Sequence, residues 1–158
     1  MDPDEIERRL DWLRAAFRKS GVKLTHQRLE IFRAIAARAD HPGADTVFQA
    51  VKTRLPTVSL DTVYRTLWLL HDLGLVTTLG PRREGVRFDP NLDRHHHYVC
   101  VRCGLVQDFE SSRLAALRVP PSVGNFGSVE QVQVEVRGLC RRCSARDAGR
   151  SHKKEKTS

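Results

Sequence analysis

Acidic residues are the scarcer charge in this chain. Its 158 residues hold 19 Asp and Glu against 27 Lys and Arg, a formal charge of +8. That imbalance favours an anionic partner, most simply nucleic acid. Long apolar runs are missing as well. None reaches the roughly 20 residues that cross a bilayer, so no membrane span is expected. The first residues, Met1-Asp2-Pro3-Asp4-Glu5, have neither the basic stretch nor the apolar stretch of a secretory leader. The chain is therefore expected in the cytoplasm, where thiols stay reduced. Cysteine is limited to four residues. No internal repeat appears apart from the spacing of those four. No motif supplies a general base or a substrate pocket, so no catalytic residue is assigned and the chain is read as not an enzyme.

The four cysteines form two equal steps, Cys100-x-x-Cys103 and Cys140-x-x-Cys143. In a reducing compartment such pairs point to a metal rather than to disulfides. Four thiolates suit zinc and leave no open position for chemistry, so the reading is a structural Zn2+ site. A thioredoxin-like redox pair does not fit, because there are two pairs and no βαβ pattern surrounds them. The gap between the steps exceeds that of a compact zinc ribbon. The site should tie a distant strand end to an early hairpin.

Hydrophobic residues make up 40% of the chain, enough for a core, and the length fits one compact domain or two small ones. Ile6, Leu10, Leu13 and Phe17 repeat at helical spacing up to Gly21. Thr25 is placed to cap a second helix carrying Leu29, Ile31, Phe32 and Ile35. After His41-Pro42-Gly43, a third helix carries Ala44, Val47, Phe48, Val51 and Leu55. Ser59 is placed to cap a fourth, with Val63, Leu67 and Leu70 inside and Gly74 at its end. The period then becomes strand-like over 75–79 and 86–88, around a turn with the basic tip Arg82-Arg83. Helices followed by such a hairpin describe a winged helix-turn-helix over 1–88. Asp89-Pro90-Asn91 reads as the hinge. Strands are expected at 98–101, 105–109 and 129–136, with a short helix at 111–119 ended by Pro120-Pro121. The fold class is α+β: a winged-helix domain, then a small α/β domain over 89–145 with the four-cysteine zinc site. A basic tail, 146–158, is expected to be disordered.

In a helix-turn-helix the second helix enters the major groove. Here that helix begins Ser59-Leu60-Asp61-Thr62-Val63-Tyr64-Arg65-Thr66. Arg65 can bond guanine or phosphate, Tyr64 can pack on thymine methyls, and Thr62 lies on the same outward side. Arg28, Lys23, Arg82 and Arg83 are candidates for backbone contacts, which position without specifying. A helical pair with an ordinary solvated basic face is the plainer alternative.

The run His95-His96-His97 precedes the first cysteine step. On a strand, His95 and His97 share one face and His96 takes the other. Two imidazoles make a bidentate platform but not a site. Asp89, Asp108 and His41 are further candidates. Three nitrogens and two carboxylates would suit Fe2+ or Mn2+. Taken singly, His41 reads as a surface or capping residue before Pro42, and Asp108 as a solvated strand residue.

These segments together resemble the ferric uptake regulator family: Gly21-Val22-Lys23-Leu24-Thr25-His26-Gln27-Arg28, Asp40-His41-Pro42, Ser59-Leu60-Asp61-Thr62-Val63-Tyr64-Arg65-Thr66-Leu67, Arg87-Phe88-Asp89, the stretch from His95 through Gly104, and Gly138-Leu139-Cys140-Arg141-Arg142-Cys143. The resemblance implies a homodimeric, metal-dependent regulator of transcription, usually a repressor, on an inverted-repeat operator in double-stranded DNA. It implies structural zinc at Cys100, Cys103, Cys140 and Cys143. By position, it makes His41, Asp89, His95, His97 and Asp108 the regulatory metal ligands, in a site spanning the hinge.

Asp at 108, where many iron-uptake regulators carry Glu, resembles the peroxide-responsive branch. In that branch Fe2+ at the regulatory site reacts with hydrogen peroxide and a ligand histidine is oxidised. The matching positions are His41 and His95. Iron-responsive control of metal acquisition is the alternative. Zinc-uptake control is disfavoured because no fifth cysteine is available. A zinc-dependent hydrolase and a zinc-ribbon interaction module complete the alternatives. Val132 stands where many members have a histidine of an additional metal site. His96, without that companion, is expected to be solvated.

Overall fold

In the computed structural model, residues 3–79, 85–129 and 132–146 are described. The tip residues Arg82 and Arg83 lie outside them, as does the tail from residue 147 onward. The chain divides into two compact units, Met1–Leu92 and Asp93–Ser158. Asp89 is the last strand residue of the first unit.

The first unit holds α1 (Pro3–Ser20), α2 (His26–Ala36), α3 (Ala44–Lys52), α4 (Leu60–Asp72), β1 (Thr77–Leu79) and β2 (Arg87–Asp89). The caps expected from the sequence are in place. Thr25 accepts the Arg28 amide, and Ser59 accepts the Thr62 amide. Each meets a donor that the first helical turn would otherwise leave unpaired. At the far end of α4, the Leu75 amide reaches the Leu70 carbonyl and Gly74 sits at φ +69°. That backbone conformation favours glycine and stops the helix. Leu10, Leu13, Phe17, Ile31, Phe32, Ile35, Val63, Leu67, Leu70 and Phe88 meet in one apolar cluster. β1 and β2 pair antiparallel, with Thr77 opposite Asp89 and Leu79 opposite Arg87.

Glu30 is a buried charge of this unit. It is 7% exposed and accepts from Arg33 at 2.8 Å, with Arg54 at 3.5 Å. Burial raises its pKa, but the hydrogen bonds and charges of Arg33 and Arg54 together outweigh that and hold it below the ordinary 4.5. A depressed folded-state pKa contributes stability above the unfolded value, lost as pH falls through the folded one. Glu30→Gln should therefore cost about 1–2 kcal/mol at neutral pH. The gap between wild-type and variant urea midpoints should close on acidification below the ordinary carboxylate pKa. A gap independent of pH would contradict this.

The second unit holds β3 (His96–Cys100), β4 (Val106–Phe109), a short helix α5 (Ser112–Ala115), a 3-10 turn (Pro121–Asn125) and β5 (Glu135–Gly138). Residues 141–146 are helical. The sheet order is β4-β3-β5, with β3 antiparallel to β4 and parallel to β5. Two expectations need correction. The strand read over 129–136 begins at Glu135 and runs on to Gly138. The apolar alternation before it does not mark a core face, since Val129 and Val132 are exposed at 49% and 43%. What defines β5 is the partner stretch His97–Cys100 on β3. The helix read over 111–119 shortens to one turn, capped at Ala116 before the proline pair is reached. Among the described residues, the buried apolar side chains of this unit are Cys100, Val106 and Cys143. So small a core needs a staple.

Candidate metal centres and nucleic-acid face

The staple is the cysteine cluster. All four thiols are free of disulfides, and one sulfur from each lies within 4.8 Å of the others. Cys103 Sγ and Cys140 Sγ are 3.7 Å apart. Four zinc–sulfur bonds of about 2.3 Å in a tetrahedron place sulfurs about 3.8 Å apart. Each pair comes from a tight backbone turn. The Gly104 amide bonds the Cys100 carbonyl, and the Ser144 amide bonds the Cys140 carbonyl. Gly104 sits at φ +69°. β3 carries Cys100 to one corner, and Gly138, at the end of β5, leads into Cys140. The sulfurs differ in acidity. Amide donors from Cys140 and Cys103 bring Cys100 down to about 6, while burial and then the neighbouring thiols push Cys143 up to about 12. Four like charges cannot coexist there unaided. A divalent cation removes that conflict, and the donor set and spacing fit zinc.

In the first unit, the loop after α2 carries His41 and the hairpin strand β2 carries Asp89. Both are 1% exposed, and His41 Nε2 lies 3.5 Å from Asp89 Oδ2. The other carboxylate oxygen, Oδ1, accepts the Asn91 amide at 2.8 Å, which fixes the group. His41 is neither the surface residue nor the cap that its sequence position suggests. Gly43 is the N-cap of α3, and His41 is buried at φ +50°. A non-glycine residue there carries about 1–2 kcal/mol of backbone strain. Strain of this kind persists where surrounding structure holds it, and it concentrates at functional sites.

In the second unit, His95, His97 and Asp108 come together. Asp108 stands directly opposite His97 across β3 and β4. Its Oδ1 is 3.5 Å from His97 Nε2 and 3.7 Å from His95 Nε2. His95 Nδ1 donates to the Asp93 carbonyl at 2.7 Å, since a carbonyl can only accept. The lone pair of His95 is thereby left on Nε2, the atom that faces Asp108. His97 Nδ1 meets the Gln133 side-chain amide at 3.0 Å. Gln133 is invisible to sequence reasoning, because only the parallel β3–β5 pairing brings its segment beside His97. Both units thus present nitrogen and oxygen donors of the type that suits Fe2+ or Mn2+.

His96 departs from expectation. It is 4% exposed rather than solvated, tilts over Phe109 at 5.5 Å, and accepts the Val134 amide on Nδ1 at 3.4 Å. Strand parity correctly puts it on the face away from His97, but that face is covered too.

The residues read as DNA contacts divide between two hollows of the first unit. Arg28, Thr62 and Arg65 line a cleft of about 400 Å3 with Thr25, Gln27 and Asp61. Tyr64 lines another, of about 450 Å3, with Leu60, Val86 and Phe88. Arg65 is 80% exposed, with Asp61 at 3.9 Å. The Arg28 guanidinium donates to the Lys23 carbonyl and lies 5.9 Å from the Phe17 ring centre. It is already oriented by its own unit.

Residues 19–135 match the family model described as the ferric uptake regulator family. The peroxide-responsive repressor PerR of Staphylococcus epidermidis is 33% identical over 141 residues, which cover 89% of this chain and 93% of that one. Among solved structures, the Campylobacter jejuni peroxide stress regulator aligns with a TM-score of 0.62 and 26% identity, covering 85% and 98% of the two chains. The Francisella tularensis ferric uptake regulator, solved with iron, aligns at 0.65 with 29% identity, covering 78% and 96%.

Proposed function

Since the chain belongs to the ferric uptake regulator family, we propose that it is a metal-dependent, DNA-binding repressor that senses hydrogen peroxide. Structural Zn2+ sits at Cys100, Cys103, Cys140 and Cys143. His41, Asp89, His95, His97 and Asp108 take one regulatory Fe2+ or Mn2+, two ligands from the first unit and three from the second. A cation held this way favours one arrangement of the two units over others, and that differential affinity is what a metal switch requires. The second unit dimerises. Leu117, Phe126, Val136 and Leu139, all exposed in the single chain, support a partner surface there. The dimer places two copies of α4 on the half-sites of an inverted-repeat operator, with Arg65, Tyr64 and Thr62 toward bases and Arg28 toward the backbone.

The observation that carries the peroxide reading is Asp108. A short carboxylate stands opposite His97 on β4, in a chain one-third identical to peroxide-responsive repressors. Bound Fe2+ would mediate a two-electron exchange in which peroxide's O–O bond breaks, one oxygen entering an imidazole ring and the other leaving as water. The chain's part is to hold His41 and His95 beside that event. Asp93 keeps His95 in the tautomer that presents Nε2.

Mass spectrometry of the iron-loaded protein after a peroxide pulse tests this. One added oxygen at His41 or His95, with loss of operator binding, is expected. Loss of iron-dependent binding only on iron removal, with no added oxygen, would instead establish control of metal acquisition. The iron-bound relative from Francisella favours that second reading.

A further inference from the structure

We propose that Arg87 is a positioning residue for the regulatory metal, acting through the backbone of His41. The proposal rests on the reading of His41 as a ligand. Arg87 is the first residue of β2, two before Asp89. Its Nη1 donates to the His41 carbonyl at 3.3 Å, across 46 residues of chain. The next residue supplies a second tether, because the Phe88 amide donates to the Pro42 carbonyl at 3.1 Å. The strand that carries one ligand thus grips the loop that carries the other, at two consecutive carbonyls. Immediately before those grips His41 holds its left-handed φ of +50°, with Nε2 3.5 Å from Asp89 Oδ2.

Released from the guanidinium, the loop can relax toward ordinary backbone angles and swing the imidazole off Asp89. The Phe88 amide cannot be removed by a side-chain change, but the Arg87 donor can. Supporting partners of metal ligands typically matter about 10- to 100-fold in affinity. Arg87 acts on the loop backbone rather than on the imidazole ring, so its effect passes through position alone.

The test uses the full-length, zinc-replete protein, with Mn2+ as the probe. Arg87→Met keeps the aliphatic stem and the strand and removes the donor. Its Mn2+ dissociation constant should rise about tenfold or more, with the melting temperature within a few degrees of wild type. Arg87→Lys, which keeps a donor, should recover part of the loss. The loss should also vanish in a His41→Ala background, since the two residues act as one unit.

An Mn2+ affinity in Arg87→Met within about twofold of wild type, well short of the expected loss, overturns the proposal. So does an equal loss with and without His41. A fall in operator binding of the metal-free protein, with Mn2+ affinity unchanged, would make Arg87 a phosphate contact instead. Should His41→Ala alone bind Mn2+ like wild type, the ligand reading itself has failed, and that result is distinct from the others.

Discussion

His41→Ala should abolish metal-dependent operator binding while zinc content and fold persist. His41 gives the first unit its only imidazole in the proposed site, paired with Asp89 at 3.5 Å. Without it, Mn2+ or Fe2+ keeps a hold on the second unit through His95, His97 and Asp108. A cation with little preference between arrangements of the units shifts no equilibrium, however tightly it sits. The expected loss in Mn2+ affinity is at least ~100-fold, at or beyond the upper end of what removing a supporting partner costs. Operator affinity should fall to the metal-free level. Stability should stay within about 1 kcal/mol of wild type, because alanine inherits the same unfavourable φ and the apolar cluster is untouched. Fluorescence anisotropy on operator DNA, with and without Mn2+, reads the effect directly. Full metal dependence in His41→Ala would remove this residue from the switch.

The second large effect concerns zinc. Cys103→Ser should strip the thiolate site and unfold the second unit. A closed zinc site contributes apparent binding energy on the order of 10–16 kcal/mol, far more than the few buried apolar side chains described there can replace. The loss should spread from the cluster. Cys100 ends β3, Gly138 at the end of β5 hands its carbonyl to the Val101 amide, and Cys140 follows two residues later. Both outer turns open once the sulfurs part. The helices of the first unit rest on a separate apolar cluster and should keep their circular dichroism. Metal analysis should show zinc lost, and hydrogen exchange should show β3 and β5 unprotected with α2 and α4 protected. Zinc-free protein with β3–β5 amides still protected would contradict the staple argument.

Short-range signals are legible without coordinates. Thr25 and Ser59 cap the helices as their positions imply, because capping acts over three residues. The paired cysteine steps read as a metal knot because the chemistry sits in the spacing. Strand parity separates His96 from His97 because side chains alternate wherever a strand forms. The extent of β5 escapes the sequence, because alternation alone cannot say which residues find a partner. The burial of His96 escapes it too, because parity says which face a side chain takes, not what lies on that face.

The sequence by itself determined the first four helices and the two cysteine steps, whose signals depend on neighbours within a few residues, while the ligand set came from resemblance to a family. Tertiary structure decided which of those donors are buried and what each touches. His41 has the local setting of a surface residue before a proline, yet it is enclosed and twisted into a conformation that β2 holds from 46 residues away. Gln133 reaches His97 only through a parallel strand pairing. Long-range contacts of this kind depend on the path of the whole chain, and no local pattern records them.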